Sequence, residues 1–350
     1  MTWDEIEKHF GQTWTAIRAA KDATEAKLAQ VRGLLDPKTG EGAIDSGDIS
    51  VVVFGSLARN EWTSGSDLDW TLLVDGEADH LHAISAQKFR KSASSAGFLD
   101  PGVSGMFGSL TISHNLIHQI GGDDDSNQNS TRRMLMLLES KPVGRTEAYD
   151  RVVAGIIRRY LDNDYRTFRM GVPHFLLNDL HRFWRTMCVD YAYKNRERAG
   201  QKWALRVIKL RFSRKLIFAA GLLTCLQCDP RLLSDVKPDL ERSEEVGDLA
   251  KYLQEEFSRS PLEVIGEGLI RYSPKERGIA MLDAYDEFLQ RLDQEETRKT
   301  LEDLEPKSDE DHPTLKELKN LGYNFQDGMV SLFFEDNNEL TYLIKKYGIF

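Results

Sequence analysis

Two aspartates one residue apart, Asp67 and Asp69, stand at the head of an apolar run, with ten residues separating them from a Gly-Ser pair, Gly55-Ser56. This constellation constrains the fold more than any other part of the chain. The preceding Ile49 to Phe54, ISVVVF, is β-branched and apolar and predicts a buried strand. Gly55-Ser56 ends that strand where the chain can turn into a helix. Glycine lets backbone amides approach a ligand, a helix N-terminus favours anions, and a serine hydroxyl can donate to a phosphate oxygen. Thr63-Ser64-Gly65-Ser66 then leads into a second predicted strand, Leu68 to Val74, where Asp67 and Asp69 project from one face. Neighbouring carboxylates repel each other unless a cation sits between them. Hard oxygen ligands of this kind suit Mg²⁺, which also engages the oxygens of a triphosphate, and Mn²⁺ can take the same place. Asp67 and Asp69 are therefore the candidate catalytic and metal-ligating pair, and Gly55, Ser56 and Ser66 the candidate phosphate contacts. Phosphate on one side and metal on the other describe a centre for nucleotidyl transfer.

Gly-Ser, a spacer with Arg59 and Glu61, and then Ser66-Asp67-Leu68-Asp69 resemble the DNA polymerase β nucleotidyltransferase superfamily, most of all the PII-protein uridylyltransferases and their stand-alone relatives. The likeness covers about residues 45 to 145. It includes His114 to Gly122, then Asp125, Thr131, Leu137-Leu138-Glu139-Ser140 and Gly144. It implies an α+β fold, with a small mixed sheet and helices on one side as the transferase core and a helical lobe across the cleft. It also implies an NTP substrate, a hydroxyl acceptor on a protein or an RNA, and basic residues of the lobe meeting the β and γ phosphates. The superfamily usually adds a third carboxylate from a later strand. The candidate strand here, Leu110 to Ile120, offers Asn115, and otherwise Asp123, Asp124 or Asp125 must serve. Synthases of cyclic-oligonucleotide second messengers share the superfamily and the layout of long N-terminal helix, core and lobe. A nucleotide-binding regulator without catalysis is the third alternative.

Plainer structural roles stand beside these. Gly55-Ser56 with the aspartates is also compatible with a tight turn and a solvated strand end, although the whole constellation is improbable by accident. Asp123 to Ser126 can cap a helix starting near Asn127. His114 and His118 share a face of the candidate strand and are not assigned as metal ligands. Cys225-x-x-Cys228 lacks a second pair for zinc and follows an apolar helix, and Cys188 reads as core.

Charge is unevenly spread. The net charge of −10 argues against bulk nucleic-acid binding, yet nine Lys and Arg face one acid between Lys194 and Lys215. Lys202, Arg206 and Lys209 fall at helical spacing, beside an apolar stripe of Leu205, Ile208, Phe212 and Leu216. The face can be a solvated one or a triphosphate contact. The resemblance points to Arg206 or Lys209.

Three cysteines without a framework fit a reducing compartment. No apolar run approaches the ~20 residues of a membrane helix, and Met1 to Ala20 carries acids where a signal peptide would not, so a cytoplasmic protein without membrane partners is expected. Periodicity predicts one long N-terminal helix and its connector over 1–47, the core over 48–148, the helical lobe over 149–301, and an acidic linker with an apolar tail docking back over 302–350.

Overall fold

The computed structural model describes residues 1–35, 46–77, 79–102, 106–162, 171–197, 200–233, 246–306 and 308–348. Most of the predicted connector, 38–47, lies outside them. The N-terminal segment is two helices rather than one. Helix α1 (Trp3–Phe10) opens on a capping box of Thr2 and Glu5 and ends at Gly11, whose φ of 65° is the left-handed turn that glycine allows. Helix α2 (Thr15–Leu34) follows.

The core runs β1 (Ile49–Phe54), the single turn α3 (Gly55–Ala58), β2 (Trp70–Val74), α4 (His80–Ser95), β3 (Ser109–Ile112), α5 (Ser113–Ile117), α6 (Asn127–Leu138) and β4 (Ser140–Val143). The sheet order is β3-β2-β1-β4, with β1 antiparallel to β2 and β4 and β2 parallel to β3. Helices cover both of its faces, not one. Ile49, Val51 and Val53 pack with Leu28 and Val31 of α2 and Phe89 of α4, whereas Val52 and Phe54 join Met134 and Leu138 of α6. Two covered faces are why β1 is an unbroken apolar run. The predicted strand Leu110 to Ile120 ends early at Ile112. From there α5 (Ser113–Ile117) carries His114 and Asn115 and is capped by His118, and the two imidazoles lie with ring centroids at 5.0 Å.

The remaining elements are α7 (Glu147–Asp162), α8 (His174–Glu197), α9 (Trp203–Lys209), a π-helical turn (Leu210–Arg214), α10 (Lys215–Leu226), α11 (Pro230–Leu233), α12 (Val246–Phe257), α13 (Pro261–Tyr272), α14 (Lys275–Asp293), α15 (Glu295–Asp303), α16 (Pro313–Phe334) and α17 (Asn338–Tyr347). One apolar cluster runs from Val52 and Phe54 of the sheet through Phe212, Tyr285 and Phe288 to Phe325 of α16. Among the described residues no helix is long and apolar enough to cross a membrane.

Several polar ties hold the lobe against the core beside the two aspartates. Ser260 donates its hydroxyl to the Arg59 carbonyl at 3.1 Å. The Ser64 amide donates to the Asp293 carboxylate at 2.8 Å, and the Ser64 hydroxyl to the Asp293 carbonyl at 3.0 Å.

Candidate active site

Asp67 and Asp69 lie in the extended segment just before β2. The ladder between β1 and β2 continues one step further there, because the Phe54 amide donates to the Asp69 carbonyl at 2.8 Å. That bond sets Asp69 against the start of α3. Gly55 has φ +66°, and a Cβ built on it would stand 3.0 Å from Asp69 Oδ2. Any side chain at position 55 would therefore be strained and would press on the carboxylate. The Ser66 hydroxyl accepts the Thr63 amide at 3.1 Å and lies 3.1 Å from the Thr63 hydroxyl, bracing the loop that delivers Asp67.

A narrow cleft of about 50 Å³ brings these groups together, lined by Gly55, Ser56, Ser66, Asp67 and Asp69 from the core. Three cations line it from the lobe: Lys209, Arg214 and Arg298. Lys209 ends α9, and Arg214 follows five residues later. In a regular α-helix, residues five apart do not share a face, but the π-turn over Leu210–Arg214 widens the coil and lets both line the cleft. Arg298 comes from α15, lies against Gly65, where a Cβ would meet its Nε at 2.4 Å, and pairs with Glu302 at 3.3 Å. No sequence signal marked Arg214 or Arg298 as neighbours of the aspartates. A π-turn has no compositional signature, and Arg298 arrives from more than 200 residues away.

Of the predicted basic face, Lys209 reaches the cleft. Arg206 lines an adjoining cavity of about 210 Å³ with Phe107, Leu135, Phe183, Met187 and Tyr191, and that cavity shares Lys209 and Arg214 with the cleft. Lys202 departs from the expected face. It precedes α9, in the left-handed region, and pairs with Glu302 at 2.9 Å.

A buried charge network, of which Arg59 and Glu61 also line the cleft, supports it. Arg59 donates to Glu61 at 2.8 Å and also pairs with Glu139, which accepts from Arg214 at 2.8 Å through its other oxygen. The Tyr285 hydroxyl donates to Glu61 at 2.7 Å. Glu139, the last member of the Leu-Leu-Glu segment, thus has both oxygens committed and fixes Arg214 from below.

Electrostatics differ between the two sides. Burial, then the charge of Asp67, pushes the Asp69 carboxyl up to about 7, against the pull of Arg214 and Lys209. Burial pulls Lys209 down to about 8, opposed by Asp67. The two aspartates are therefore crowded in a desolvated cleft, and the cations beside them do not return Asp69 to its ordinary range.

None of Asn115, Asp123, Asp124 and Asp125 lines this cleft. Asn115 is exposed on α5, and Asp123 and Asp124 are exposed in the loop before α6. Asp125 is buried and ion-paired to Arg133 at 2.8 Å and to Arg182 at 2.9 Å; against burial, Arg133, the Gly121 amide and Asn129 hold its carboxyl below the usual range. Among the described residues no group of three or more His, Cys, Asp and Glu is arranged to hold a metal. Cys225 and Cys228 are buried in the lobe core.

Residues 42–96 match the family model described as nucleotidyltransferase domain. No curated protein and no solved structure matches the chain. The matched segment spans β1, the Gly-Ser turn, both aspartates and β2, and with this sheet and its helices the chain carries a nucleotidyltransferase domain, consistent with the polymerase β-like superfamily.

Proposed function

We propose that the chain moves a nucleoside monophosphate from an NTP to a hydroxyl of a protein or RNA acceptor, with Asp67 and Asp69 holding Mg²⁺. One observation carries this reading most directly: the aspartate pair shares one cleft with Gly55 and Ser56 of the core and Lys209, Arg214 and Arg298 of the lobe. The donor set fits a hard divalent ion, since two carboxylates line one cleft beside the Gly-Ser turn. Such an ion supplies charge stabilisation at the transferring phosphorus and a more acidic acceptor hydroxyl.

The chain's own groups do the positioning. Gly55 and Ser56 present an amide and a hydroxyl to the triphosphate, and Ser66 keeps the aspartate loop in place. The acceptor hydroxyl attacks the α-phosphorus and releases its proton to solvent, the bond to the bridging oxygen breaks, and pyrophosphate leaves. Lys209, Arg214 and Arg298 meet the charge on that leaving group, while Arg206, in the adjoining cavity, meets the nucleoside or the acceptor.

Incubation with each α-labelled NTP, Mg²⁺ and host lysate, followed by separation of protein, RNA and small molecules, tests this. Label is expected in a discrete macromolecular band, and it should be lost in Asp67→Asn and Asp69→Asn. A phosphatase-resistant small product formed by the purified chain alone would replace the reading with nucleotide-to-nucleotide joining.

A further inference from the structure

We infer that the outer face of α8 is a track for single-stranded RNA whose 3′-hydroxyl end enters the catalytic cleft; the inference rests on the proposed transferase reading and names its acceptor. Asn178, Arg182, Arg185, Val189, Tyr193 and Arg196 recur at steps of three and four along this 24-residue helix and so form one stripe. The opposite side is core, where Leu176, Leu180 and Phe183 are buried. On the stripe Val189 is 68 % and Tyr193 55 % exposed, and Arg185 and Arg196 are exposed. At 1.5 Å per residue the stripe from Asn178 to Arg196 runs for roughly 27 Å.

Interleaved arginine and exposed aromatic or apolar side chains are what a single strand requires, cations for phosphates and flat surfaces for unpaired bases. Charge complementarity rests on Arg185 and Arg196. A groove of about 560 Å³ beside the stripe is lined by Asn127, Asn178, His181, Arg182, Arg185 and Asp190; Arg182 is already paired with Asp125 at 2.9 Å, which leaves Arg185 and, further along the stripe, Arg196 to meet phosphates. The groove is also continuous with the reaction centre. Asp190 lines both this groove and the cavity of Phe107, Phe183 and Tyr191, which in turn shares Lys209 and Arg214 with the aspartate cleft. A terminal nucleoside in that aromatic cavity would bring its 3′-hydroxyl towards Asp67 and Asp69 while the upstream chain follows α8. RNA is the nucleic acid that commonly presents unpaired ends and loops.

The test measures binding of a labelled 12-nucleotide RNA with a free 3′-hydroxyl to the full chain by fluorescence anisotropy at several salt concentrations, alongside binding of a non-hydrolysable NTP analogue. Arg185→Ala with Arg196→Ala should weaken RNA binding at least tenfold and lower the slope of log K against log salt by about 1.4, two phosphate contacts at about 0.7 each. Tyr193→Ala should weaken it by about tenfold through lost stacking. All three positions are exposed, so folding and analogue binding should be unchanged. RNA affinity and slope untouched by these substitutions, or no measurable RNA binding by the parent chain, would overturn the assignment. Label transferred to a protein at a rate that the substitutions leave unchanged would also overturn it, with the transferase reading left standing. RNA bound through α8 by a chain that binds no NTP would instead sink the transferase reading and the acceptor role together.

Discussion

Replacing Asp69 by Asn separates a strained carboxylate from an ordinary surface one, because the substitution should stabilise the metal-free protein in a pH-dependent way. Asp69 is held at about 7 in the fold, against 3.8 for a free aspartate. A folded pKa above the unfolded one means that folding disfavours the charged form. The penalty is absent below about pH 4, grows as pH rises, and is complete above pH 7. Three units correspond to a ceiling of roughly 4 kcal/mol at about 1.36 kcal/mol per unit, which we halve to about 2 kcal/mol because the side chain is partly exposed and solvent screens it. For a chain of 350 residues, unfolding entropy near 2.1 cal/mol/K per residue turns that into a Tm gain of about 3 °C. Thermal melts of Asp69→Asn and the parent in chelated buffer should show this gain in full at pH 8 and about a quarter of it at pH 4.5. Added Mg²⁺ should raise the parent's Tm at pH 8 and leave the variant's where it is. Equal Tm differences at both pH values, or a variant less stable than the parent at pH 8, would refute the argument that burial and Asp67 crowd this carboxylate.

Glu139→Gln should destabilise by about 3 kcal/mol, since it leaves Arg59 buried beside a neutral amide and frees Arg214; denaturant melts read the first effect and pyrophosphate release the second. Gly55→Ala should cost about 1 kcal/mol for its left-handed backbone and cut nucleotidyl transfer more than tenfold by pressing on Asp69, so a variant with unimpaired transfer would remove the close approach from the mechanism. Lys209→Ala and Arg214→Ala should each raise KM for NTP and lower turnover, most strongly at low salt, whereas Arg206→Ala should change KM for the acceptor or the base preference more than the response to pyrophosphate; initial rates at varied NTP and acceptor separate the two patterns.

How much of this centre could be read from the chain depends on whether a residue's neighbours are local. Ile49 to Phe54 was legible as a strand with its boundaries, because a β-branched run closed by glycine is a local signal. The strand expected from Leu68 begins at Trp70, so Asp67 and Asp69 precede it, yet both line the cleft. The predicted strand through Asn115 failed at Ile112, where Ser113 begins a helical turn whose apolar residues, Leu116 and Ile117, fit either period over so short a stretch. The covering of both sheet faces was misread too, although the absence of polar residues from ISVVVF already carried it.

The basic side of the cleft shows where local reading stops. Regular helical spacing groups Lys202 with Arg206 and Lys209, yet Lys202 turns away to Glu302 before α9 begins, and the π-turn after Lys209 shifts every later residue. That shift is what substitutes Arg214 for the expected partner of Lys209. A π-turn is rare within α-helices, and here tertiary contacts surround it: Phe212 stacks on Phe288 with centroids 4.3 Å apart, and Glu139 receives the Arg214 guanidinium. The wall that faces the aspartates is thus held by Glu139 from the core and Phe288 from α14, residues 75 and 76 positions from their partners in opposite directions along the chain. Glu139 was visible in the sequence as the end of a Leu-Leu-Glu segment, but its task becomes definite only once tertiary packing supplies Arg59 on one oxygen and Arg214 on the other. An acid that looked like part of a helix end is, in the folded chain, the support on which a phosphate-facing arginine rests.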